Sequence, residues 1–251
     1  MLLYKAWLEG RTRFLLTAAS LTVFCIGTVL VYGHQERALT DVLRGLRGKT
    51  YSEQVYNLFY SGTAKGMFAM LTIFLGLGGL TRERMRGTAL FSLGLPVSRA
   101  RLVTTQMAVG LLQLALLSLL PALLIPSLSA AVHQYYPVSE SLHFSMLWFC
   151  CCAPIFAASF LLSILLTGEY TAPVACYLLF MVEVLIADWR PLRPHRLNLM
   201  WTMGEFGTMH LDVSSNLMVS GPLPWLRLIA LISIAATLLW AGVRVTQKQD
   251  F

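Results

Sequence analysis

Long uncharged runs alternate with short charged stretches along the whole chain. Phe14 to Tyr32, Gly66 to Thr81, Leu102 to Ser139 and Phe144 to Thr167 carry no charged residue, while Thr171 to Ala187 and Leu223 to Val243 carry one each, Glu183 and Arg227. About 20 apolar residues in a helix cross the roughly 30 Å hydrocarbon core of a bilayer. The pattern therefore predicts six membrane spans, at residues 14–32, 56–81, 102–125, 144–167, 171–187 and 223–243.

Local signals set the expected boundaries. The second run is short for a span by itself, so it is extended back to Tyr56, which places Lys65 in its outer part with a stem long enough to snorkel. Gly62 and Gly66 within it form a Gly-x-x-x-Gly pair that permits close helix packing. The third run is too long for one perpendicular span, and Pro121 and Pro126 predict where it kinks or ends, leaving Ser127 to His143 as an external connection. Gly168-Glu169-Tyr170 turns the chain tightly between the fourth and fifth spans. Before the first span, Leu2 to Arg13 mixes Leu2, Leu3, Trp7 and Leu8 with Lys5, Glu9, Arg11 and Arg13, a composition suited to a separate amphipathic helix at the interface. The expected fold is all-α and polytopic, a single transmembrane domain over residues 1–251.

Composition agrees: 57% of the 251 residues are hydrophobic, 12% are charged and the mean hydropathy is +0.66. The net charge of +7 sits in clusters beside apolar runs, where lipid headgroups and the positive-inside bias account for it without nucleic acid. Basic density orients the chain. Residues 82–101 hold Arg82, Arg84, Arg86, Arg99 and Arg101 against the single acid Glu83, which predicts a cytoplasmic loop and two cytoplasmic termini. The first span lacks an Ala-x-Ala cleavage site and a lipoprotein-type cysteine context, so it is expected to be retained in an inner cell membrane.

Little else in the chain suggests chemistry. Gly48-Lys49-Thr50 imitates the end of a phosphate loop, but Leu43 stands where the first glycine belongs. Neither Gly-x-Ser-x-Gly nor His-Glu-x-x-His occurs, so no enzyme activity is expected. The five cysteines, Cys25, Cys150, Cys151, Cys152 and Cys176, lie in apolar runs, and consecutive residues on a helix point about 100° apart, which prevents convergence on one metal. Met200, Met203, Met209 and His210 have the donor types of a soft-metal site, but also suit the apolar contacts of a re-entrant or interfacial segment; no metal site is assigned. Glu183, near the outer end of its span, either lines a substrate path, pairs with an arginine of the outer segment or reaches interfacial water.

The island between the second and third spans is the exception. Arg82 to Arg86 extend the second span, Gly87-Thr88 offers a break, Ala89 to Leu95 make a short apolar helix, Pro96 stops it, and Ser98 is placed to cap the next helix. A surface helix with Leu90, Phe91, Leu93 and Leu95 and a basic border either docks in a groove of a soluble partner or is an ordinary interfacial loop helix.

Glu83-Arg84-Met85-Arg86-Gly87-Thr88 followed by Leu95-Pro96-Val97-Ser98-Arg99-x-Arg101 resembles the segment between the second and third spans of type-2 ATP-binding-cassette (ABC) exporter permeases. The resemblance covers about twenty residues, and the remainder of the chain agrees in layout. Two departures are a pair of longer, more basic outer segments and Gln106 where the family often has Lys. The resemblance implies that the island is a coupling helix that docks on an ABC ATPase. It gives Glu83, Arg84, Gly87, Thr88, Leu95, Pro96, Val97, Ser98, Arg99 and Arg101 coupling roles. It also implies that the permease pairs with a second copy or a similar chain, and that ATP and Mg bind the partner ATPase while this chain binds no cofactor. The alternatives are a membrane-anchored scaffold or regulatory subunit that docks an ATPase without transport, and an independent channel or secondary transporter.

Overall fold

The computed structural model describes residues 2–33, 50–77, 99–166, 171–187, 189, 198–205, 210–212 and 217–248. Its helices are α1 (Leu2–Gly33), α2 (Tyr51–Val55), a π-turn (Tyr56–Tyr60), α3 (Thr63–Gly76), α4 (Arg99–Ala131), α5 (Val138–Leu165), α6 (Thr171–Ala187), α7 (Leu199–Met203) and α8 (Trp225–Lys248). Five helical segments are long and apolar enough to cross a membrane, and α6 is a shorter apolar helix. Large apolar side chains on the outside, among them Leu16, Leu123, Leu185 and Leu226, give the bundle a surface suited to lipid. The chain is a multi-pass helical membrane protein. The all-α expectation needs one amendment, because His210–Asp212 (β1) pairs antiparallel with Leu217–Val219 (β2), His210 opposite Val219.

Helix α5 is the centre of the bundle and packs against α3, α4, α6, α7 and α8. Its buried residues run from Ser141 to Ser163 and include Phe144, Leu147, Trp148, Cys150 to Cys152 and Phe156. Helix α1 lies parallel to α4: the Gln106 side chain donates to Glu9 at 3.4 Å, and Gly10 lies against the Gln113 amide. At the same end, Gly242 of α8 approaches Met107, Leu161 and Ile164. Both termini therefore lie at one end of the bundle. The opposite end holds Tyr51, Ser129, Tyr136 and the 198–205 segment.

Three expected boundaries are corrected. Residues 2–13 are the first turns of α1 and not a separate interfacial helix. No proline interrupts them, so hydrogen bonding continues through 32 residues, about 48 Å at 1.5 Å per residue. Helix α4 runs through Pro121 and Pro126 to Ala131. Around Pro126 the hydroxyls of Ser127 and Ser129 donate to the carbonyls of Leu123 (2.7 Å) and Ile125 (2.6 Å), adding bonds where the ring weakens the ladder. The external connection shrinks accordingly to residues 132–137, where His133 takes a left-handed φ of 58° and Gln134 N bonds back to Ser129 O at 2.9 Å.

The second span departs most from a simple helix. It starts at Tyr51 and changes at Tyr56 to π geometry, with Ser61 N bonded to Tyr56 O at 2.8 Å. One extra residue per turn shifts the register, and Tyr56, Phe59 and Tyr60 all face inward. Phe59 stacks on Trp148 at 5.5 Å and Tyr60 on Phe144 at 4.2 Å. Gly62 ends the distortion where a Cβ would fall 2.4 Å from Leu58 O, so glycine is required. The Gly62/Gly66 pair thus serves the interior. Lys65 does not snorkel: it is 7% exposed in the first turn of α3, which packs on α5 and is closed over at Gly66 by Met200.

Candidate functional site

Two regions carry candidate residues, one at each end. At the end holding the termini, Glu83, Arg84, Gly87, Thr88, Leu95, Pro96, Val97 and Ser98 lie outside the described residues. Arg99 is the first residue of α4, directly after the position expected for the Ser98 cap. Arg101 is exposed in that first turn; its carbonyl accepts hydrogen bonds from the hydroxyls of Thr104 (3.1 Å) and Thr105 (2.7 Å). Any force on residues 78–98 therefore reaches α3 at Gly76 and α4 at Arg99.

At the opposite end, residues 198–205 fold into the bundle. Asn198 caps α7, its side-chain oxygen accepting from Met200 N at 2.8 Å and Trp201 N at 3.3 Å. Gly204 closes the turn through its amide to Met200 O at 3.3 Å. Met203 is fully buried and Leu199 nearly so, so these two side chains anchor the segment in the apolar core.

Several of the segment's polar groups find partners in the bundle. Tyr56 OH donates to Gly204 O at 2.7 Å, and Trp148 Nε1 donates to Met203 O at 3.2 Å. His143 Nε2 lies 2.5 Å from Glu205 Oε1, and Leu199 N donates to Glu183 Oε1 at 3.0 Å. Irregular backbone inside a bundle is tolerated when protein groups replace water as partners, and three of these contacts, to Gly204 O, Met203 O and Leu199 N, do so. Glu205 takes a left-handed φ of 47°, which the pairing with His143 holds in place.

Neighbouring contacts extend this closure. Ser129 donates to Ile125 O at 2.6 Å, so its oxygen accepts from Tyr51 OH, also at 2.6 Å. Tyr60 OH donates to Ser141 Oγ at 3.2 Å, and Ser220 N donates to Glu140 Oε2 at 3.1 Å. Tyr136 stacks on Tyr60 at 6.0 Å; burial, with the nearby Tyr60 and Glu140, pushes its phenol well above the usual tyrosine range. Most of these bonds end on backbone, which makes them tie points more than reacting groups. Among the described residues, no group of three or more His, Cys, Asp or Glu side chains is placed to hold a metal ion.

Of the residues considered from sequence, Glu183 is located as a backbone anchor for α7, half-buried, in place of the outward-reaching carboxylate. Met200 and Met203 pack in the apolar interior. Tyr56, His143, Trp148 and Glu205 carry the closure without having been singled out. The stretch from Asn198 to Gly204 held a usable signal, a capping Asn and a terminating Gly bracketing one helical turn. No family model matches the chain, and no curated protein matches it.

Proposed function

We propose that this chain is the transmembrane permease subunit of an ATP-driven ABC exporter, coupled to a separate ATPase through residues 82–101. Six spans, the fifth being α6, would place both termini and the docking segment in the cytoplasm. The reading rests on the motif from Glu83 to Arg101, and one structural observation supports it: α4 starts at Arg99, at the end of that motif, and runs unbroken for 33 residues. A segment displaced by ATPase closure would push on a continuous lever spanning the bilayer. Rigid-body rocking of the helices, in a dimer with a second copy or similar chain, then alternates access to a path between subunits.

Division of labour follows from the sequence. With no phosphate-binding loop here, ATP and Mg act on the partner chain, and this chain supplies the path and the lever. The test is the double substitution Glu83→Ala with Arg99→Ala in proteoliposomes containing the ATPase. Membrane insertion is expected to remain intact while ATP hydrolysis becomes uncoupled from cargo movement. Unchanged coupling would reject the role of the island.

A further inference from the structure

The two helices that flank residues 78–98 are fastened to the same turn of α5. On the α3 side, Ser159 Oγ donates to Ile73 O at 2.7 Å, and a Cβ on Gly76 would fall 2.7 Å from Ser159 Cβ and 2.9 Å from Phe156 O. On the α4 side, a Cβ on Gly110 would fall 2.4 Å from Cζ and 2.8 Å from Cε2 of the Phe156 ring. Phe156 is thus wedged between two glycines, its carbonyl against α3 and its ring against α4. Helices α3 and α4 touch each other far less than each touches α5, so this turn is the main place where both are held.

The joint has little give. Phe156 is 1% exposed and Ser159 fully buried, and the Phe156 ring stacks on Phe160 at 6.2 Å. The same stretch reaches two further helices, since Cys176 of α6 donates to Ile155 O at 3.8 Å and Ala157 packs with Ala235 of α8. Close-packed interiors are barely compressible and transmit displacement. With glycines at the contacts, no long side chain is available to absorb a shift of Gly76 or Gly110.

We infer that the Phe156–Ser159 turn is the mechanical joint through which movement of residues 78–98 enters the bundle, with Phe156 as the positioning residue. The inference rests on the proposed pairing with an ATPase. A displacement arriving through α3 and α4 is combined at Phe156 and passed to α6 and α8, so α8 shifts relative to the far end of α4.

The experiment uses the full chain with its ATPase in nanodiscs, carrying nitroxides at Gln134→Cys and Leu226→Cys, exposed positions at the outer end. Pulsed dipolar spectroscopy compares the nucleotide-free state with ATP plus vanadate. In the wild-type background the inter-label distance is expected to shift. Gly110→Ala, which drives a methyl group into the Phe156 ring, should retain the ATPase but reduce the shift at least threefold. Adding Phe156→Leu should restore half of it or more. Phe156→Leu alone, which removes ring atoms without adding bulk, should reduce the shift at least twofold and carries the test if Gly110→Ala does not assemble. Full shifts in both single variants, no restoration in the double variant, or no shift in a wild-type complex that holds the ATPase would each overturn the joint alone. A wild-type complex without an ATPase would overturn the pairing, and the joint with it.

Discussion

The imidazole of His143, in the second turn of α5, lies 2.5 Å from a carboxylate oxygen of Glu205, which ties the end of the 198–205 segment to the central helix. Both side chains are largely buried, at 12% and 4% exposure. Removing one partner of a buried hydrogen-bonded pair is expensive because the other stays desolvated, about 1–3 kcal/mol. His143→Ala is therefore expected to lower the thermal unfolding midpoint in detergent well beyond His133→Ala, a change at an exposed position. Equal midpoints would show that the pair does not hold the segment.

Tyr56 donates the hydrogen bond that satisfies the Gly204 carbonyl. Tyr56→Phe keeps the ring packed against Phe144 and deletes only the hydroxyl, a cost of about 1 kcal/mol for one buried bond. Amides of residues 198–205 should then exchange with deuterium about fivefold faster, a factor that corresponds to roughly that free energy. Exchange in the second half of α4 should stay unchanged.

Two helical glycines are expected to respond to alanine in opposite directions. A Cβ on Gly27 meets nothing within 4 Å, so Gly27→Ala gains helix propensity, about 0.5–1 kcal/mol. At Gly76 the new methyl group would strike Ser159 Cβ and the Phe156 carbonyl, and backbone cannot yield as a side chain does. Overpacking of this kind costs about 1–3 kcal/mol. Thermal unfolding of the two variants in the same detergent should bracket the wild-type value.

The contrast between the two ends of the molecule shows what the sequence could reveal. Helix α6 occupies the expected residues, Thr171 to Ala187, because an apolar run with a single charge, Glu183, bounded by polar stretches, defines a helix locally. The long runs behind α1, α4, α5 and α8 were equally legible. What was not legible depends on contacts between distant residues. The π-turn at Tyr56 to Tyr60 is held by aromatic stacking on Phe144 and Trp148, more than eighty positions away. The prolines of α4 read locally as breaks, yet the helix continues because its surroundings hold it. Residues 198–205 read as an external segment since burial of Asn198 and Glu205 is affordable only once Tyr56, His143, Trp148 and Glu183 are assembled around them. The motif at Glu83 to Ser98 was readable as sequence alone and lies outside the described residues, so its role stays a proposal to be tested.

The most direct measurement is site-specific photo-crosslinking from Phe91, inside the expected docking helix, with Ser139, exposed at the start of α5 and at the end opposite the termini, as the control. Cells expressing each variant are irradiated, and crosslinked partners are tested for labelling by an azido-ATP analogue. A nucleotide-binding subunit is expected to be joined to the chain from position 91 and not from position 139. No nucleotide-binding partner at position 91, or the same partner from both positions, would contradict it.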